Sequence, residues 1–482
     1  MIFLIAVVVN IITAIYSTGY YYADEHYQVI EFAGYKLGTH QPDELAWEFA
    51  YKLRPALQPA ICYVLIKTAS ALGTSEPFTQ AMLLRIISMA LSLAAVTIFI
   101  KSFIDEFKTT IGKLFFLLLS YLLWFMPFLN VRFASESWAG ALLLLMLALL
   151  KFNVCQRKWC YFFIPVVIAA SILIRYQMLL PVMVILAWYS FKRQHAQVIL
   201  IASGILLSIP VGLLIDHWFY GEWTLPLYNY AHMVITGSGP DFGSEPWYFY
   251  PLCLTNKMFL PIGLLLLISF MYLWTLAWKN LITPITLVFL LFHSVIPHKE
   301  VRFLFPLAGC CGFVFAFAIE KILSLNWSTK IATASLRIIA CLLLVINGAL
   351  LIISIWLPAS PGIEIARVIS RQYKTGIVTL LHTPYSNPYN PFESVPVKFY
   401  LQHHVHTIKI NDVSNINDTI LRNSQSVLLS IRSDVYEQHK LYLENLNFKL
   451  VAYAWPPLLV KWNHDIWLKA NDNFVLLEKI SN

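Results

Sequence analysis

Residues Ile282 to Ile319 read ITPITLVFLLFHSVI-PHKEVR-FLFPLAGCCGFVFAFAI, two apolar runs joined by Pro297-His298-Lys299-Glu300-Val301-Arg302 with no polar linker. A spanning helix needs about 20 mostly apolar residues. The runs therefore read as consecutive membrane helices, with four ionisable side chains held at the membrane edge between them. Working outward, similar runs recur at Ile2–Tyr20, Gln80–Ile100, Leu114–Leu129, Trp138–Leu150, Tyr161–Ile174, Met178–Phe191, Val198–Ile215, Met258–Trp278 and Ile331–Trp356, so about eleven spans are expected. The first has no basic n-region or cleavage site and reads as a retained span. Pro55–Leu72, interrupted by Pro59 and Lys67, reads as an interfacial or re-entrant piece. Composition agrees: of 482 residues 59% are hydrophobic and 12% charged, against roughly 25% charged in soluble domains. An ordinary soluble enzyme is excluded.

The net charge of +8, from 34 Lys+Arg and 26 Asp+Glu, suggests basic cytoplasmic loops rather than nucleic acid. With the N-terminus inside and eleven spans, Lys101, Lys108, Lys113, Lys151, Arg157, Lys158, Lys192, Arg193, Lys279, Lys321 and Lys330 all fall on the cytoplasmic side. The opposite face collects Tyr22–Pro55, Arg132–Glu136, Arg175–Gln177, Asp216–Asn256 and His298–Arg302, poor in Lys and rich in acids, aromatics and His. Chemistry is expected there, on the lumenal or periplasmic side. The fold class is thus a polytopic α-helical membrane protein. Its transmembrane region is residues 1–357, with outer loops at 21–57 and 216–256, and residues 358–482 form a small outer α/β domain. Strands are expected at Gly376–Leu381, Ser426–Ile431, Lys449–Tyr453 and Phe474–Leu477, with an amphipathic helix at Ser433–Asn447. That domain has no nucleotide-binding motif. His403, His404 and His406 lack acidic or Cys partners nearby and make a poor metal site, and the seven cysteines show no zinc or disulfide spacing. Sequons at Asn326-Trp327-Ser328 and Asn417-Asp418-Thr419 leave the organism open, and the short termini lean towards a bacterial source.

Three stretches carry candidate chemistry. Tyr20-Tyr21-Tyr22-Ala23-Asp24-Glu25 follows the first span and opens a helix that runs through Tyr27, Ile30, Ala33 and Leu37 to Gly38. Asp24 there is either a cap that meets the positive helix end or a base, and Asp43-Glu44 is a second acidic pair in the same loop. The hexad His298–Phe303 packs three cations at an outer face that is otherwise poor in them. It is either a snorkelling loop or an anion site, with Arg175 a further isolated cation. Arg132 and Glu136 read equally well as a buried ion pair. The loop from Asp216-His217-Trp218-Phe219-Tyr220-Gly221 to Asp241 and Glu245-Pro246-Trp247-Tyr248-Phe249-Tyr250 mixes rings and carboxylates, as a sugar site does. An aromatic belt needs no such acids.

These residues resemble the polytopic mannosyltransferases of glycosyltransferase family 22, in the GT-C superfamily. The likeness is carried by Asp24-Glu25, Trp47-Glu48-Phe49, Leu53-Arg54, Asp216…Tyr220-Gly221, Gly243…Pro246-Trp247…Tyr250 and, most specifically, His298-Lys299-Glu300-Val301-Arg302-Phe303. Ala23, Pro55 and Val301 depart from the usual pattern, and Leu381-His382-Thr383-Pro384 is similar to the GPI-type members. The resemblance implies inverting transfer of mannose from a polyprenyl (dolichyl) phosphate to a lipid-linked glycan or GPI-like acceptor. It implies Asp24 as base with Glu25 beside it. It gives substrate binding to Arg175, Asp216, Tyr220, Trp247, Tyr250, His298, Lys299, Glu300 and Arg302. No cofactor or metal is required beyond the lipid co-substrate, and the partners are the donor, the acceptor and membrane lipids. The membrane is the endoplasmic reticulum in a eukaryote or the cytoplasmic membrane in a bacterium. Transfer of another sugar by the same superfamily, and a lipid or sugar transporter, are the rival readings. A transporter would instead place its charges near the midplane in repeated halves.

Overall fold

The computed structural model describes residues 1–151, 159–237, 242–325, 330–416, 426–463 and 473–480. Arg157, Lys158, Asp241 and both sequons lie outside the described residues. The chain forms two compact units that interleave along the sequence: Met1–Ala14, Tyr51–Ile61 and Leu84–Trp356 make the first, and Ile15–Ala50, Cys62–Leu83 and Leu357–Asn482 the second.

Each of the eleven apolar stretches lies largely on helix. Among the described residues four helical stretches, Pro77–Glu106, His195–Tyr220, Val301–Ser324 and Ile338–Trp356, are long and apolar enough to cross a membrane, and six shorter apolar helices accompany them. The stretch expected as one span at Leu114–Leu129 is broken. Its helix, Thr110–Leu122, stops at Leu123, and a short helix, Met126–Asn130, restarts with Pro127 in its first turn, where a missing N–H costs nothing. The freed backbone groups are satisfied from the helix Lys330–Trp356. Asn347 Oδ1 accepts from Trp124 N–H at 2.9 Å, Asn347 Nδ2 donates to the Leu122 carbonyl at 2.9 Å, and Ser354 Oγ donates to the Trp124 carbonyl at 3.0 Å. Such substitution is what lipid depth demands of a broken helix. Pro55–Leu72, expected as an interfacial or re-entrant piece, holds one continuous helix, Leu57–Ala71. Pro59 sits in its first turn and so removes no helical hydrogen bond.

Close approach sets the neighbourhood of the hexad. A Cβ on Gly140, in the helix Ser135–Lys151, would lie 3.2 Å from Pro306 Cα and from its carbonyl oxygen. The bare glycine lets that helix press on the 3-10 stretch Val301–Cys310, which carries Arg302.

In the second unit, strands β1 (Val378–His382), β2 (Val405–Lys409), β3 (Ser426–Arg432), β4 (Phe448–Tyr453) and β5 (Phe474–Lys479) form a sheet in the order β2-β1-β3-β5-β4. β1 runs parallel to β2 and β3, whereas β5 is antiparallel to β3 and β4. Both faces are covered, as parallel pairs require. Leu380, Leu428 and Leu476 pack with Ile363, Ala366 and Ile369 of the helix Pro361–Gln372, and Leu381, Leu429 and Leu477 pack with Tyr436 and Leu443 of the helix Ser433–Asn445. β2 was not expected from sequence. As the edge strand it keeps four of its five residues exposed and shows no apolar run. Of the histidine cluster, His404 Nε2 lies 2.8 Å from the Tyr373 carbonyl. Among the described residues no three His, Cys, Asp or Glu side chains converge as metal ligands.

Candidate active site

The acidic sequence candidates lie in the second unit. A helical run opens at Ala23–His26, widens to a π-turn over Tyr27–Glu31, returns to α-helix at Phe32–Leu37 and ends at Gly38 with φ of 79°, a left-handed stop that glycine adopts without strain. Tyr22, not Asp24, is the N-cap. Asp24 lies half-buried in the first turn, while Glu25 is buried and its Oε2 accepts from Tyr21 N–H at 3.0 Å. Glu25 thus fixes the entry to the helix and leaves the more open position to Asp24. The second acidic pair is engaged elsewhere: Glu44 closes a capping box with Gln41 and pairs with Lys398, and Asp43 is exposed.

The same segment holds a cluster the sequence did not reveal. Glu31, 1% exposed, has its Oε1 2.6 Å from His26 Nε2, pairs through Oε2 with His40, and accepts from Phe399 N–H at 3.2 Å. The His26 ring is stacked between Tyr20 and Tyr400, at 5.1 and 5.4 Å between centroids. Burial pushes the Glu31 carboxyl up, but the two imidazoles outweigh it and hold the group down at about 2. The π-turn is what makes the contact, because its wider register brings residues five apart onto one side. A reading based on α-helical spacing does not pair residues 26 and 31.

The cationic sequence candidates lie in the first unit. Arg175 sits in an extended break between the helices Cys160–Ile174 and Leu179–Phe191. Its Nη1 is 2.7 Å from Glu136 Oε1 and donates to Ser135 Oγ at 2.9 Å, and its Nε donates to Gln177 Oε1 at 2.5 Å. Arg302 holds Glu300 in a two-pronged contact, both prongs 2.7 Å, and approaches Glu136 at 3.9 Å. His298 Nε2 shares Glu300 Oε1 at 3.0 Å. The Phe303 ring lies 5.7 Å from both guanidinium carbons, within cation–π range. The hexad and Arg175 are therefore brought together, and Glu136 pairs with them. Arg132, the partner expected for Glu136, has its guanidinium over the Phe128 ring at 5.0 Å.

The remaining sequence candidates belong to the same unit. Lys299 is buried and donates to the carbonyls of Glu245 and Ile296, each at 2.6 Å, which ties the loop at 245 to the hexad. At the end of the helix His195–Tyr220, Asp216 Oδ1 accepts from Ala56 N–H and Tyr220 OH donates to the Arg54 carbonyl, both at 2.8 Å, so the two side chains brace the segment 54–56. Trp247 is 70% exposed and Tyr250 fully buried. Next to Arg302, Val301, Leu304 and Phe305 line a small apolar hollow with Phe270, Trp274 and Met258.

The comparison with known families decides the family. The Alg9-like mannosyltransferase family profile matches residues 1–402. The chain belongs to that family. Among relatives, the alpha-1,2-mannosyltransferase ALG9 of Saccharomyces cerevisiae is 36% identical over 118 residues, 23% of this chain and 20% of that protein. A GPI mannosyltransferase 3 of Trypanosoma brucei brucei is 25% identical over 328 residues, 58% of each chain. The matched stretches thus span between a fifth and three fifths of these relatives' lengths. A crystal structure of ArnT from Cupriavidus metallidurans bound to undecaprenyl phosphate superposes with a TM-score of 0.54 at 13% identity, covering 100% of this chain and 98% of that one. The Alg9-like chain therefore has the polytopic GT-C fold expected from its sequence, with the small sheet domain at its C-terminal end.

Proposed function

We propose that this Alg9-like protein transfers mannose, with inversion, from a polyprenyl-phosphate donor to a hydroxyl of a lipid-linked glycan or GPI-like acceptor on the outer face of its membrane. The observation that carries the reading is the convergence of Arg175, Arg302 and His298 around Phe303, beside a small apolar hollow. Asp24 takes the proton of the acceptor hydroxyl, whose oxygen forms the new bond to the sugar's C1. The C1–O bond to phosphate breaks, and its electron pair stays on the phosphate. A phosphate departs as a stable anion, so no general acid is needed, in contrast to glycoside hydrolysis with its two carboxylates. The guanidiniums supply the charge stabilisation that the departing group requires, and one base completes the chemistry. Glu25, Glu300 and Lys299 hold the reacting groups in place, Asp216 and Tyr220 support the loop over the sugar, and Trp247 and Tyr250 border it. The reaction calls for no resident cofactor.

The test is radiolabelled mannose transfer from a polyprenyl-phosphate mannose to membrane lipid extracts. Label recovered in a lipid-linked glycan supports the reading. Transfer from a different sugar donor alone, or movement of donor across vesicles without transfer, would replace it with one of the rivals.

A further inference from the structure

Arg175 and Arg302 converge on a single carboxylate. Glu136 Oε1 lies 2.7 Å from Arg175 Nη1 and 3.9 Å from Arg302 Nε, and Glu136 is 4% exposed. Ser135 steadies it, donating through Oγ to Glu136 Oε2 at 3.1 Å while accepting from Arg175 at 2.9 Å. On its other side Arg302 is gripped by Glu300 through both nitrogens at 2.7 Å. Two guanidiniums and two carboxylates therefore balance to zero in a secluded site. Glu300 is two residues from Arg302 and travels with it. Glu136 stands on a different element, the first turn of the helix Ser135–Lys151, and meets both arginines.

A phosphate entering this cluster meets cations that already hold an anion, and it gains full charge-assisted hydrogen bonds only by taking the place of a carboxylate. The two lipid phosphates of the reaction differ in charge. The donor is a diester carrying one negative charge, whereas the released monoester carries close to two near neutral pH, as phosphomonoesters with a second ionisation near pH 6 do. An uncompensated pair of guanidiniums would hold the product more tightly than the donor, and release would limit turnover. We infer that Glu136 is an internal counter-anion that competes with the lipid phosphate for Arg175 and Arg302, keeping the two guanidiniums aimed at one point and returning to them as the product leaves. Glu136 is in this sense a positioning residue, and its role rests on the reading of Arg175 and Arg302 as phosphate ligands given above.

The experiment measures equilibrium binding of a short-chain polyprenyl phosphate, with inorganic phosphate alongside, to the full chain in detergent, together with steady-state transfer. Glu136→Gln keeps the shape and removes the competing charge. It should bind polyprenyl phosphate about tenfold more tightly than the parent, with a lower KM for donor, a lower kcat and stronger product inhibition. A residue that merely braces the arginines would instead weaken phosphate binding when neutralised. Affinity equal to or below the parent's overturns the inference. Glu136→Asp withdraws the carboxylate by one methylene and should fall between the two. If Glu136→Gln is not recovered as a monodisperse protein, Glu136→Asp decides alone by the same criterion. Arg175→Gln separates the two readings. If it leaves polyprenyl phosphate binding unchanged, the anion site itself has failed and Glu136's role falls with it; if it weakens binding, the outcome for Glu136 stands on its own.

Discussion

Asp24 occupies the second position of the first turn and Tyr22 the N-cap, so the capping explanation of Asp24 reduces to a charge near the helix dipole, worth about 0.3–1 kcal/mol. Asp24→Asn should therefore leave thermal stability within about 1 kcal/mol while lowering transfer by at least about a hundredfold. Initial rates beside a melting curve check both halves, and retained transfer in Asp24→Asn moves the base to Glu25 or Asp43. Arg302→Ala removes a cation from the departing phosphate and should cost about 3 kcal/mol, roughly a hundredfold in rate; rates within twofold of the parent under saturating donor and acceptor would return the hexad to the status of a snorkelling loop. These residues were legible because their types stand side by side in sequence, as in His298-Lys299-Glu300. Glu136 was legible only as a partner for Arg132. Its pairing with Arg175 depends on the extended break at Arg175, which no local pattern encodes.

At the scale of elements, hydropathy located the four long and six shorter apolar helices among the described residues, because lipid imposes a long uniform signal. It did not locate the break at Leu123, which is set by Asn347 and Ser354 on a distant helix, nor the polar edge strand β2. The π-turn at Tyr27–Glu31 was equally hidden, and it carries a strongly shifted carboxylate. Glu31 is held at about 2 against an ordinary value of 4.5. Its folded value is depressed, so its contribution to stability, about 3 kcal/mol, is fully present above pH ~4.5 and is lost as pH falls towards 2. Glu31→Gln should remove that contribution and leave two buried imidazoles without their carboxylate, lowering stability by roughly 3–5 kcal/mol. Unfolding followed as a function of pH checks it. The parent should lose stability below pH ~4.5 and the variant should lose much less over the same interval. Parallel curves would mean that Glu31 carries no charge in the folded protein.

For the whole molecule, the order of packing departs from the order of the chain. Ile15–Ala50 and Cys62–Leu83 pack with Leu357–Asn482, and hydropathy, which reads only sequence neighbours, draws its boundary at 357 alone. Sidedness, by contrast, follows from counting spans and from the bias of Lys and Arg, and it makes a prediction that touches every element at once. With eleven spans, single cysteines at Asp24, Glu245, His298 and positions in the C-terminal domain should react from the lumenal or periplasmic side, and those at Lys108 and Arg193 from the cytoplasm. The background must lack reactive thiols: Cys62, Cys310 and Cys311 are buried, but Cys253 is half-buried and Cys341 exposed, and these two are replaced together with Cys155 and Cys160. Leu57–Ala71 is where this count is most sensitive, since a continuous helix there that crossed the membrane would invert every later loop. In that case the position at Lys108 would label from the same side as Asp24, and Glu245 and His298 would label from the opposite one. The acidic and cationic halves of the proposed site would then face different compartments, and a single transfer reaction using both would be ruled out.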